Sequence, residues 1–140
     1  MNPKQRHKSR VLALQAIYQW QFTAQPIKVV EAQFYDQVSK TKADFAYFSE
    51  IVRGVIDNVS ILDGKIKPFL DREVLDLDPV ELAVLRLAVY EFIYRLDIPY
   101  KVIINEALDI TKEFGALDGF KYVNGVLDKV AKEIRITEIN

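Results

Sequence analysis

The chain has 140 residues, no cysteine, a single histidine and a formal charge of −1 at pH 7. That length suits one domain, since compact domains run about 100–200 residues, and with half its residues hydrophobic the core needs no staple. The missing cysteines exclude disulfides and thiolate metal sites and fit a reducing compartment.

The first element opens with a basic cluster, "KQRHKSR". Lys4, Arg6, Lys8 and Arg10 are four of the 19 basic residues, grouped without an acid among them. The remainder of the chain is therefore acidic. Pro3 suits the first turn of a helix, where its missing N–H costs nothing. In the following "VLALQAIYQWQF", the residues Val11, Leu14, Ile17, Tyr18 and Gln21 follow helical spacing. Gln15 and Gln19 interrupt the apolar run, so this is no secretory signal. On the helical wheel Arg6 and Arg10 continue the Leu14–Ile17 stripe. An arginine cannot be buried unpaired, so this end is expected to project beyond the bundle, or Arg10 to meet a carboxylate.

A second helix is predicted over Ile27–Ser39, after Pro26. A third starts near Asp44, with Phe45, Phe48, Ile51, Val52, Val55 and Val59 on one face and a break near Gly64. A short helix then carries Ile66, Phe69 and Leu70. In "DPVELAVLRLAVYEFIYRL" Asp78 is the expected N-cap and Pro79 the first helical residue, with Glu81 closing a capping box. Leu82, Leu85, Ala88, Val89, Phe92 and Ile93 give this helix a broad apolar face, which makes it central. The next helix is framed by Pro99 and by Gly115, expected as a left-handed terminator. Val102–Ile104 taken alone also reads as a strand, but the frame has helix length. The last helix starts at Asp118, buries Val123, Val126, Leu127 and Val130, and ends basic. The fold class is therefore all-α, with about seven helices packed as two small bundles. No segment approaches the roughly 18 uninterrupted apolar residues of a membrane span, so the expected location is the cytoplasm.

The sequence offers little for catalysis. The one histidine, His7, lies inside the basic cluster, so neither a Cys/His metal site nor a histidine-based hydrolytic triad is expected. No glycine-rich phosphate loop is present. Asp76–Asp78 reads better as a cap with a solvated neighbour than as a metal site. Glu91, Glu106 and Asp109 lack the Glu-x-x-His pairs of a di-metal bundle. The basic N-terminus, by contrast, is a contact for phosphates; the bland reading is a solvated tail. Tyr18, Trp20 and Phe22 follow it, and Lys121 sits between Phe120 and Tyr122. Rings interleaved with cations bind single-stranded nucleic acid by stacking, although most rings in a helical chain are core.

"RHKSRVLALQAIYQWQ", "DPVELAVLRLAVYEF", "IPYKVIINEALDITKEFG" and "FKYVNGVLDKVA", in that order, resemble the NusB family of bacterial transcription antitermination factors. The likeness runs from Arg6 to about Arg135. It implies a non-enzymatic, cofactor-free helical protein of two subdomains, about 1–72 and 73–140. It also implies binding of boxA RNA of nascent ribosomal transcripts together with NusE, a small-subunit ribosomal protein, and assembly into an antitermination complex on RNA polymerase. By the same resemblance Arg6 and Arg10, with Lys4, His7 and Lys8 around them, match the family's basic motif. Tyr18, Phe69 and Tyr122 match aromatic positions near RNA, and Asp118 and Lys121 the turn beside it. Asp76, Glu81 and Arg86 match the partner-binding region. Phe120 stands where a polar run is more usual, and reads as a staple on the last helix. Two other readings remain at this point: a helical protein-interaction adaptor, and an RNA-binding domain of the kind associated with rRNA methyltransferases, for whose enzymatic part the chain is too short. Whether the free protein is a monomer or a homodimer is left open.

Overall fold

The structure is a computed structural model that describes residues 2–139. Among the described residues there are eight α-helices and no strand: α1 (Pro3–Thr23), α2 (Ile27–Lys40), α3 (Phe45–Asp57), α4 (Val59–Ile66), α5 (Pro79–Tyr94), α6 (Tyr100–Phe114), α7 (Gly119–Ile134) and the single turn α8 (Ile136–Ile139). Two 3-10 turns, Lys67–Phe69 and Val74–Asp76, bridge α4 to α5. The helices form two compact units that meet in sequence between Asn58 and Val59.

The first unit packs α1 against α3 and α2, and α2 against α3. Helix α1 begins with a capping box that the sequence reading had not picked out. The Asn2 side chain accepts from the Gln5 amide at 2.8 Å, and Gln5 Oε1 accepts from the Asn2 amide at 3.3 Å. Its buried residues are Ser9, Arg10, Leu12, Ala13, Leu14, Ala16 and Ile17, which keep Leu14 and Ile17 of the expected stripe but not the rest of its apolar side. Val11 and Gln21 are half-buried and Tyr18 is exposed. The small Ala13 and Ala16, both fully buried, broaden the inner face beyond what large residues alone outline. Helix α2 contributes Val30, Phe34 and Val38 to the core, and also Glu31. The Glu31 carboxylate accepts from Arg53 and Ser49 of α3, so this buried charge is paired as it must be.

Helix α3 starts at Asp44, whose carboxylate accepts from the Tyr47 amide at 2.9 Å. It buries Tyr47, Phe48, Ile51, Val52 and Val55, while Phe45 sits at its exposed edge against Tyr35. The break falls at Asn58 rather than near Gly64. Asn58 Nδ2 donates to the Gly54 carbonyl at 2.8 Å, a side-chain bond that competes with continuation of the helix. Gly64 lies inside α4 with open space where a Cβ would be.

The second unit is organised on α5, which packs against α4, α6 and α7. Every residue from Leu82 to Phe92 is buried, so the helix is central as expected. Asp78 caps it, Oδ1 accepting from the Val80 amide at 2.9 Å and the Glu81 amide at 3.2 Å. The reciprocal half of the expected capping box is not made: the Glu81 carboxylate lies instead beside Gly119, where a Cβ would stand 3.2 Å from Glu81 Oε2.

The other end of α5 is closed by Arg135, whose side chain is 4% exposed. Its guanidinium donates to the carbonyls of Phe92 (2.8 Å), Ile98 (3.0 Å), Arg95 (3.0 Å) and Glu91 (3.3 Å), and pairs with Glu138. One side chain thus gathers carbonyls from the end of α5 and the turn after it, of which Glu91 and Arg95 also accept from the Arg95 and Ile98 amides. Glu138 in turn accepts from the Tyr100 amide at 2.8 Å; that bond and Arg135 hold its carboxyl below the ordinary range.

The connection between α6 and α7 differs from the expectation at two residues. Gly115 is extended (φ −92°, ψ 178°), not left-handed. Glycine suits it for space: a Cβ would approach the Thr111 carbonyl oxygen to 2.8 Å. The left-handed residue is Asp118 (φ 67°), which precedes α7 without a side-chain cap bond. Phe120 is half-buried with Lys112 Nζ 4.8 Å from its ring centroid.

Candidate nucleic-acid interface

In the first unit the basic cluster divides in two. Lys4 is exposed, and His7 and Lys8 are partly so. Arg10 is buried to 1% exposure, its Nη2 donating to the Tyr47 hydroxyl at 3.3 Å and its guanidinium 5.6 Å from the ring centroid. Arg6, half-buried, lies 5.8 Å from the same ring. Tyr47 is positioned by its own helix start. Asp44 caps that start, and Ser9 of α1 ties it down: Ser9 Oγ accepts from the Asp44 amide at 3.0 Å and donates to the Gln5 carbonyl at 2.8 Å.

The projecting arginine tip is therefore corrected. Arg10 lies inward against the Tyr47 hydroxyl and ring, which leaves its guanidinium closed to solvent. A weakly hydrated planar cation is the one that tolerates such a site. Tyr18 of α1 is 38% exposed and packs edge-on against exposed Phe22 with ring centroids 5.1 Å apart.

In the second unit the structure brings Phe69, Lys121 and Tyr122 together. They line a pocket of about 300 Å³ with Asp71, Gly125, Val126 and Lys129. Lys121, Gly125 and Lys129 share one face of α7 at intervals of four, which places two ammonium groups and a bare backbone at the pocket wall. Asp118 is exposed and pairs with Lys121 at 3.5 Å, so it flanks one lysine of the pocket.

Above the pocket Asp71, Arg72 and Tyr122 form a closed cluster. Arg72 Nε and Nη2 donate to Asp71 Oδ1 and Oδ2 at 2.7 and 3.1 Å. The Tyr122 hydroxyl donates to Asp71 Oδ1 at 3.1 Å, and the Arg72 guanidinium lies 5.1 Å from the Tyr122 ring centroid. Hydrogen bonds from Arg72 and then Tyr122 lower the Asp71 carboxyl to about 2. Burial, and then the bond to Asp71, raise the Tyr122 phenol. Asp71, Arg72 and Lys129 escaped the sequence reading. The interval of four from Lys121 through Gly125 was the available signal for Lys129; no sequence spacing announces the Asp71–Tyr122 bond across 51 positions.

The three residues expected to meet a protein partner also separate. Asp76 is exposed on its 3-10 turn. Glu81 is half-buried, and burial followed by repulsion from Asp78 raises its carboxyl above the ordinary range, with Arg72 pulling the other way. Exposed Leu75 and Leu117, 83% and 93% accessible, belong to the segments just before α5 and α7. Arg86 is corrected: it is buried, with a bidentate pair to Asp63 of α4 (Nε–Oδ1 and Nη2–Oδ2 both 2.9 Å). It joins α5 to α4 and is not a surface residue. Among the described residues no group of acids and histidine is placed to hold a metal ion, and no helix is long and apolar enough to cross a membrane.

Comparison with known proteins gives one family. The model of the NusB family matches residues 7–132. Transcription antitermination protein NusB of Idiomarina loihiensis is 50% identical over 137 residues, 98% of this chain and 99% of that protein. Its counterpart in Saccharophagus degradans is 50% identical over 135 residues, 96% and 90% of the two chains. Among solved structures, T. maritima NusB superposes with a TM-score of 0.81 at 32% identity, covering 95% of this chain and 93% of that one. A crystal structure of antitermination factors NusB and NusE in complex with dsRNA contains a chain of the same fold, with a TM-score of 0.81 at 22% identity over 94% of this chain and 99% of that one. With the family model spanning most of its length and half its residues identical to those relatives, the chain belongs to the NusB family.

Proposed function

We propose that this protein is a non-enzymatic transcription antitermination factor that binds boxA-type RNA of nascent ribosomal transcripts together with NusE. The observation that carries the reading is the pocket of the second unit, where Phe69 and Tyr122 rings stand beside Lys121 and Lys129. Rings that stack on bases and ammonium groups that meet phosphates are what a single strand requires. Lys4, His7 and Lys8 supply a second cationic patch on the first unit, with Tyr18 as an accessible ring and Arg6 reaching it in part. Arg10 supports that patch from within. Family membership supports the activity, since relatives of about half identity are named transcription antitermination proteins. The fold also occurs in a complex of NusB, NusE and RNA.

The protein partner meets the acidic start of α5 in this reading. Glu81 carries a carboxylate that burial makes costly to ionise, so a cation from a basic ribosomal protein would stabilise it, with exposed Asp76 adding charge beside it. The assembled pair acts in the cytoplasm on RNA polymerase.

The test is a titration of fluorescent boxA-type RNA with and without the ribosomal partner at several salt concentrations. Affinity is expected to fall as salt rises, by about 0.7 log unit per log unit of salt for each phosphate contacted on a single strand, and to tighten with the partner. Absence of binding under both conditions refutes the proposal. Partner binding without RNA binding favours the adaptor reading.

A further inference from the structure

The closed cluster at the pocket is unusual in composition for a site that receives a polyanion. Among the pocket's lining residues one is acidic, Asp71, and its carboxylate takes both donors on one edge of the Arg72 guanidinium at 2.7 and 3.1 Å. That edge is the one an arginine presents to a phosphate, for the same two parallel N–H donors fit two phosphate oxygens. Arg72 is also held against the ring that lines the pocket, 5.1 Å from its centroid, and Tyr122 is tied to the same carboxylate at 3.1 Å. The side chains of Arg72 and Asp71 are 49% and 64% exposed, so an entering anion can reach the pair and compete for it. Pairs at such exposure are held weakly, and little opposes the exchange.

We propose that Asp71 is an internal stand-in for an RNA phosphate: it parks Arg72 over Tyr122 in the unbound protein, and a backbone phosphate entering the pocket takes Arg72 from it. This rests on the RNA-binding reading above and adds to it a binding residue, Arg72, with a built-in competitor. Asp71 then has two effects. It keeps the guanidinium and the ring in place for the strand, and its modest hold on Arg72 is subtracted from what the strand gains. Lys121, already paired with Asp118 at 3.5 Å, follows the same pattern of a cation held by a neighbouring carboxylate until a strand arrives.

The experiment is a double-mutant cycle on the full chain with a boxA-type single-stranded RNA, read as dissociation constants over a range of KCl concentrations. Asp71→Asn is expected to bind roughly two- to fivefold tighter, the equilibrium equivalent of releasing one exposed ion pair. Its salt dependence should stay close to that of the wild type, because Arg72 ends on the same phosphate in both complexes. Arg72→Gln should cost more affinity in the Asp71→Asn background than in the wild type, because in the wild type part of what Arg72 gives to RNA is offset by what it loses from Asp71. Additive effects of the two substitutions would show a general charge effect and overturn the proposal, as would weaker binding by Asp71→Asn. A wild-type chain that binds no RNA overturns this proposal and the RNA-binding reading together. A wild type that binds normally while the cycle shows no coupling overturns this one alone.

Discussion

Replacing Arg86 with methionine separates a structural arginine from an interface arginine. The side chain keeps its length along α5 but loses the two 2.9 Å bonds to Asp63. Breaking a buried pair by removing one partner costs about 3–5 kcal/mol, because the survivor is left charged in a poor solvent. Here the survivor is Asp63, whose side chain is 26% exposed, so it recovers part of its hydration. The loss should then fall just below that range, at about 2–3 kcal/mol. Between the values for smaller and larger domains, 1 kcal/mol moves Tm by roughly 4 °C, so Arg86→Met should melt about 8–12 °C below wild type. Thermal denaturation by circular dichroism measures the stability, and analytical gel filtration with the ribosomal partner, well below Tm, measures the interface. The reasoning predicts a large drop in Tm with partner binding retained. An unchanged Tm with partner binding lost would refute it and return Arg86 to the surface role that the family resemblance implied.

The glycines give predictions of opposite sign. Gly64→Ala in α4 and Gly125→Ala in α7 meet nothing within 4 Å and should each stabilise by about 0.5–1 kcal/mol through helix propensity, whereas Gly115→Ala, 2.8 Å from a backbone oxygen, should lower Tm. Differential scanning calorimetry of the three variants checks the signs. Asp71, lowered to about 2 by Arg72 and Tyr122, contributes stability that is complete above the ordinary carboxylate range and lost as pH falls through about 2. Tyr122→Phe should move the Asp71 midpoint upward in a carboxyl-carbon NMR titration, and a midpoint that stays put refutes the bond. Glu81 runs the other way, since its raised folded-state value means stability declines as pH rises from 4.5 through that value. Glu81→Gln should flatten this segment of a pH–stability profile.

Much of the fold was legible because the helices announce themselves at both ends. Asp78 and Pro79 start α5 where the cap chemistry says they should, and the unbroken burial from Leu82 to Phe92 follows from a segment with almost no polar face. What was not legible is what depends on space. Helix α1 carries its core on a broad arc because two alanines fit where larger residues would not, and a stripe drawn through the large residues leans toward Tyr18. Gly115 looks like a left-handed terminator in sequence, yet it is glycine because Thr111 stands too close for a Cβ. The site shows the same division. Lys121 and Tyr122 came from a pattern of rings beside cations, and Phe69 from the family resemblance alone. Asp71 and Arg72 became part of it only when the chain brought residue 71 to residue 122.

The basic N-terminus turns on a difference between two cations that a charge count treats as equal. Burial alone does not divide its lysines from its arginines, since Lys8 and Arg6 are both half-buried while Lys4 is exposed and Arg10 buried; what divides them is that the two guanidinium groups lie within 6 Å of the Tyr47 ring centroid. An ammonium is compact and strongly hydrated and stays in water; a guanidinium is planar and weakly hydrated and stacks on a ring. The arginines hold the start of α1 against α3 through Tyr47, and in the proposed function it is the lysines that meet phosphates. Neutralising Lys4 and Lys8 together should therefore weaken RNA binding and flatten its salt dependence while leaving Tm unchanged. Arg10→Met should do the reverse: it should lower Tm through the lost Tyr47 contact and leave the salt dependence of RNA binding close to wild type wherever the protein remains folded. An Arg10 variant that melts normally but loses a full phosphate's worth of salt dependence would show that the guanidinium leaves Tyr47 for the strand, and the division of labour between the two cations would fail.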